Sequence, residues 1–159
     1  MFAVRLVQLI EDHADKLSEG LLQKVRTSPR CSEVARRVPA EELKRRAHDV
    51  YHHLTDWLLN TTETEIEERY VGLGVRRARQ GIPYSHVFWA LCATKEHLWD
   101  YLQREGLLDG PVELWGEMEL LHCLERFFDS ALYFTAVGYE NVRQERAEEE
   151  AVMHGPAHR

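Results

Sequence analysis

Long apolar runs are missing from this sequence: no stretch approaches the ~18 consecutive apolar residues of a membrane-spanning helix. The opening MFAVRLVQLIEDHADKL acquires charge before a signal-peptide cleavage site can form, which places the protein in the cytoplasm. Cysteine is scarce as well. Cys31, Cys92 and Cys123 are far apart, odd in number and without a CxxC spacing, which argues against a disulfide framework or a zinc site and reads as reduced thiols. Positive charge is in deficit, with 20 basic against 27 acidic residues and a net charge of −7. Such a chain repels phosphate backbones and anionic lipid unless a local patch reverses the field, so neither nucleic acid nor membrane is an expected partner. Also absent are strand-like alternation, a repeat at solenoid periods, a GxSxG elbow, a Cys-His arrangement and a glycine-rich phosphate loop. The Gly72-Leu73-Gly74 triplet has no strand before it. Nothing here argues for an enzyme.

What remains is helical periodicity. A chain of 159 residues, 44% hydrophobic and 30% charged, is an ordinary globular mixture of one-domain length. Ala3, Leu6, Val7, Ile10, Ala14, Leu17, Leu21 and Val25 recur at helical spacing and predict a first helix over 2–26. TSPRCSEVARRVP, with two prolines, reads as a loop that leaves Cys31 exposed. Pro39 followed by Glu41 and Glu42 opens a second helix reaching Asn60, with Leu43, Ala47, Val50, Leu54, Trp57 and Leu58 inward. A third helix, 63–80, carries Ile66, Tyr70 and Leu73 and ends in Arg76, Arg77 and Arg79 before Gly81. Its Gly72 and Gly74 weaken it and allow a close helix crossing.

After Gly-Ile-Pro, a fourth helix from Tyr84 to about Gly106 presents Tyr84, Val87, Phe88, Leu91, Leu98, Trp99 and Leu102. The fifth, from Val112 to about Glu149, has no internal proline and repeats Leu114, Met118, Leu121, Phe128, Leu132, Thr135 and Tyr139. It would run roughly 55 Å, longer than the roughly 40 Å width of a domain this size, so either Gly138 kinks it or its polar end ENVRQERAEEE projects. The expected architecture is all-α: a single-domain helical bundle over 1–150 with five major helices, a long C-terminal helix and a disordered tail over 151–159.

Histidine is the residue type that invites a cofactor reading, since nine imidazoles are present. At about 100° per residue, His86 and His97 lie opposite the apolar arc of the fourth helix, facing solvent or another subunit. His52 points away from the second helix stripe, with His48 and His53 on its flanks. Asp49-x-x-His52 and Glu119-x-x-His122 match the carboxylate-x-x-His pairs of di-iron bundles in spacing, but their direction is sideways or outward. Haem needs an imidazole in an apolar pocket, and only the boundary positions His13, His53 and His122 come near one. No cofactor and no metal are therefore expected, and a haem or di-iron protein is the alternative.

Lys95 lies on the apolar arc between Leu91 and Leu98, where an unpaired ammonium is costly. It either snorkels or meets an anion, a carboxylate or a ligand. Trp89 and Tyr101 stand off the main stripe of the fourth helix, as Trp115 does at the margin of the fifth. These outer aromatics predict a homodimer interface.

The stretch YVGLGVRRARQGIPYSHVFWALCATKEHLWDYLQREG resembles the N-terminal domain family of the RsbT co-antagonist proteins, the RsbR-like stressosome components, in its tyrosine, basic run, Gly-Ile-Pro and apolar helix. LIEDHADKLSEGLLQKVRTSP and PAEELKRRAHDVYHHLTDWL are similar to that family's first two helices. The resemblance implies a globin-like fold without haem, pairing as a dimer, and a regulatory role in bacterial stress signalling. It also implies a small-molecule signal or protein partner and a signal passed along the last helix. Family members commonly continue into an STAS domain, which this sequence lacks, so the expected output route is a separate protein or none.

Overall fold

A computed structural model of the chain describes residues 2–104 and 111–155, with side chains described from Val7 and again from Met118. Helices occupy nearly all of it, and no strand occurs among the described residues. The predicted first helix is two, α1 (Phe2–Asp12) and α2 (Ala14–Thr27). His13 breaks them, its amide reaching the Leu9 and Ile10 carbonyls and its Nδ1 lying 2.8 Å from the Leu9 oxygen. The apolar stripe survives the break: Val7, Ile10, Ala14, Leu17, Leu21 and Val25 are all buried.

The expected loop after Thr27 is instead ordered by a 3-10 turn at Pro29–Cys31 and a short helix, α3 (Ser32–Arg37). Cys31 is fully buried, not exposed as its loop-like surroundings predict. Pro29 at the turn's first position supplies the fixed φ that starts it, and Val34 and Val38 bury beside Cys31. The second predicted helix also divides, into α4 (Ala40–His52) and a π-helical turn at Asp56–Asn60 closed by Thr61 N–H donating to the Asp56 carbonyl at 2.8 Å. α5 (Glu63–Arg79) begins on a capping box: the Thr62 hydroxyl accepts from the Glu65 amide at 3.3 Å, and Glu65 accepts from the Thr62 amide at 2.7 Å. It ends at Gly81, whose φ of +74° no side chain adopts cheaply.

α6 (Tyr84–Arg104) and α7 (Pro111–Met153) complete the bundle. α7 has 43 residues, roughly 65 Å of helix, and is continuous through Gly138. A Cβ placed there would lie 2.8 Å from the Val75 nitrogen, 2.9 Å from the Gly74 Cα and closer still to the Val71 oxygen. One placed on Gly74 would run into the Thr135 carbonyl. The two glycines let α5 and α7 cross backbone to backbone, while a Cβ on Gly72 would meet only the Arg76 guanidinium at 3.8 Å.

The buried side of α7 is Leu120, Leu124, Phe127, Ala131, Phe134 and Val142, with Phe128 and Thr135. That is a rotation from the predicted stripe, in which Met118 is exposed and Leu121, Leu132 and Tyr139 are half-buried. Leu114 lies outside the described side chains. From Arg143 to Gly155 every residue is exposed, and helix persists to Met153. Residues 156–159 lie outside the described residues.

Candidate functional site

Where α2, α4, α5 and α6 converge on Phe128 of α7, the packing leaves a cavity of about 110 Å³. Leu21, Val50, Leu73, Val87, Leu91 and Phe128 supply apolar wall. An engineered apolar cavity of ~150 Å³ stays dry and takes benzene, so this one is of ligand size for a small hydrocarbon. Voids cost stability at about 24 cal/mol per Å³. Keeping this one open therefore forgoes about 2.5 kcal/mol, a large share of the 5–15 kcal/mol typical of a domain.

The polar wall is basic. Arg46, Arg69 and Arg77 all line the cavity. The side chains of Arg46 and Arg69 are 29% and 28% exposed, so the basic wall is also the one that meets solvent. Arg77, one of the cations expected at the carbonyl end of α5, is only 3% exposed. Its Nη2 donates to Glu42 at 3.1 Å and its Nη1 to the Gln80 side chain at 2.9 Å. Arg46 Nε donates to the same Glu42 oxygen at 3.1 Å. Arg69 donates to Asp49 at 2.6 Å and lies 4.6 Å over the Trp57 ring.

Burial pushes the Glu42 carboxyl up, but the hydrogen bonds from Arg46 and Arg77 outweigh it and hold the group below the usual carboxylate range. Burial lowers Arg77, and the Arg46 charge adds to that; burial followed by Arg46 and Arg77 lowers Arg76 likewise. Burial pushes the Tyr70 phenol, also in the wall, up to about 12. This is a hydrocarbon chamber with a cationic side.

The cavity was not among the expected sites. Three arginines before Gly81 read as a helix end, and only the burial of Arg77 shows that one of them turns inward.

The expected sites fall elsewhere. Lys95 Nζ lies 3.1 Å from Glu125 of α7, a half-exposed ion pair that ties α6 to α7, and it does not line the cavity. Trp89 is half-buried under the Arg30 guanidinium, 4.2 Å from its ring. Tyr101 is buried inside this chain, 5.9 Å from the His13 ring, so it offers no outer surface. Trp115 lies outside the described side chains. His97 is also a correction: it is 6% exposed instead of solvent-facing, because α2 passes over that side of α6 at Gly20. A Cβ on Gly20 would lie 2.8 Å from the His97 Nε2. α6 is thus covered on two sides, by α2 and by α7, and a single helix stripe could not show that.

Four other imidazoles lie at or near the surface. His52 stacks on His48 and meets His53 edge-on, His48 lies 3.0 Å from Asp15, and His86 accepts from the Glu33 amide at 3.1 Å. His52, His53, Glu119 and His122 are exposed, while Asp49 is committed to Arg69. Among the described residues no group of three or more His, Cys, Asp or Glu side chains is placed to hold a metal ion. Among them too, no helix is long and apolar enough to cross a membrane.

The family model of the RsbT co-antagonist protein rsbRD N-terminal domain matches residues 15–153. The chain belongs to this family. No curated protein and no solved structure matches it. Membership makes it a regulatory domain of the stress-signalling type. The matched span takes in α2 to α7 and with them the whole cavity wall, so the chamber and its arginines are part of the rsbRD-type domain.

Proposed function

We propose that the chain is a non-catalytic sensory module whose cavity takes a small molecule and whose α7 carries the consequence outward. The observation that supports this most is the position of the cavity. Tyr70, Leu73 and Arg77 of α5 form its wall on either side of Gly74, the residue on which α7 crosses through Gly138. An occupant that moves α5 by a fraction of an ångström moves the crossing, because backbone contact leaves no side chains to absorb the shift. α7 leaves that crossing and becomes fully exposed from Arg143.

In this reading the fold is of the haemless globin type, the protein acts in the cytoplasm, and the exposed end of α7 meets a protein partner. Pairing with a second copy belongs to the same reading; it is supported by the exposed aromatics Phe88 and Tyr133 rather than by Tyr101.

The test is hydrogen-exchange mass spectrometry on the wild type and on Ala90→Leu, which puts a larger side chain into the cavity wall. Sensory coupling gives altered exchange in α5 and in α7 around Gly138 to Arg146. Changes confined to α6 around residue 90 would contradict it.

A further inference from the structure

The basic wall says more than that something binds. Around the cavity Arg46, Arg69 and Arg77 face two carboxylates, Glu42 and Asp49, so three positive charges minus two negative leave one uncompensated, and the exposed Arg76 adds its charge beside them. This occurs in a chain whose net charge is −7. Glu42 is shared, one of its oxygens accepting from both Arg46 and Arg77. The Arg76 side chain makes no hydrogen bond or ion pair among the described residues, Arg46 uses one side-chain bond of the five N–H donors a guanidinium offers, and Arg69 is engaged by Asp49 and the Tyr70 phenol. Crowded guanidinium groups beside a low-dielectric chamber repel one another, and an anion at that wall relieves the repulsion. The remainder of the wall is hydrocarbon except for Tyr70 and Thr94, and an inorganic anion cannot use that hydrocarbon.

We infer that the cavity binds an amphiphilic monoanion, a short aliphatic or aromatic carboxylate. Its carboxylate meets Arg46 and Arg69 on the solvent side, and its hydrocarbon enters among Val50, Leu91 and Phe128. A body of about six carbons is set by comparison with the benzene that fills a ~150 Å³ cavity. The positive excess favours a carboxylate over a neutral alcohol of the same length, since hydrogen bonds to charged groups are the strong ones. This inference rests on the sensory reading above and specifies its ligand.

The experiment titrates the wild-type chain with sodium hexanoate, hexan-1-ol and sodium sulfate, followed by calorimetry and by methyl and amide NMR. The expected result is hexanoate binding about ten- to a hundredfold tighter than hexan-1-ol, the range of one or more charged hydrogen bonds, with methyl shifts at Val50, Leu73 and Leu91. Sulfate alone leaves those methyls unmoved. Arg46→Gln, checked for an unchanged melting curve, brings hexanoate toward the affinity of the alcohol.

Equal binding of hexanoate and hexan-1-ol overturns the carboxylate assignment while leaving the cavity a ligand site and the sensory reading intact. Equal binding of hexanoate and sulfate, with shifts only at the arginines, overturns it as an adventitious surface anion. Binding of neither organic probe overturns it too, and the sensory reading falls with it only if Ala90→Leu also leaves α7 exchange unchanged.

Discussion

Replacing the glycines of α5 and α7 by alanine, one at a time, separates helix propensity from helix contact. In a helix interior alanine is favoured over glycine by roughly 0.5–1 kcal/mol. At Gly72 the nearest atom to a new Cβ is the flexible Arg76 guanidinium at 3.8 Å, so only the gain applies. At Gly138 the new Cβ would lie 2.8 Å from the Val75 nitrogen and 2.9 Å from the Gly74 Cα, both backbone, where ordinary contact begins near 3.4 Å. With the Val71 oxygen closer still, the helices must part by about an ångström. Overpacking of this kind costs roughly 1–3 kcal/mol, and a gap of that width forfeits a quarter or more of each dispersion contact along the seam. The net expectation is a loss of about 1–3 kcal/mol for Gly138→Ala and for Gly74→Ala, against a gain of about 0.5–1 kcal/mol for Gly72→Ala. With roughly 2–4 °C per kcal/mol in a domain this size, thermal unfolding by circular dichroism resolves the two signs. Gly138→Ala melting at or above the wild type, or Gly72→Ala falling as far as Gly74→Ala, would refute the backbone crossing.

Further outcomes follow from the same packing. His97 is held below the usual histidine range by burial and by the Lys24 charge. Its unfolded value exceeds its folded one, so the stability tied to its neutral form is whole above about pH 6.5 and is lost as pH falls through the folded value. Urea denaturation from pH 8 to 5 should show this acid loss, and His97→Gln should flatten it; an unchanged slope would count against the buried imidazole. Thr62→Ala removes the α5 cap and should lower stability by about 1 kcal/mol, whereas Thr64→Ala, exposed one turn in, should change little. Cys31, fully buried and with its thiol raised chiefly by burial, should react with a thiol reagent only at the rate of unfolding. Labelling of Cys31 as fast as Cys92 and Cys123 would contradict its burial.

Helical periodicity made the main elements legible, because stripes such as Val7 to Val25 and the capping signals around α5 repeat locally. Interruptions were not legible. His13 breaks α1 from α2 inside an unbroken stripe, and α3 hides in a segment whose prolines read as loop although Pro29 begins its turn. Inward positions failed where a helix is covered on more than one side. α6 carries Leu98 toward one neighbour and His97 and Tyr101 toward another, and the available signal was Gly20, a residue of another helix. The cavity was invisible for a related reason: its wall draws on α2 to α7, and no local pattern marks that Arg77 turns inward while Arg79 stays in solvent.

The most direct test of a cavity coupled to α7 is the fluorine resonance of 3-fluorotyrosine at Tyr139, assigned with Tyr139→Phe, during a hexanoate titration. Tyr139 donates to the Ile82 carbonyl at 2.6 Å, one residue past the Gly138 crossing, and does not line the cavity. The account expects its signal to shift and to saturate at the same hexanoate concentration as the Leu91 methyls. A Tyr139 signal that stays fixed while the cavity methyls saturate would contradict it.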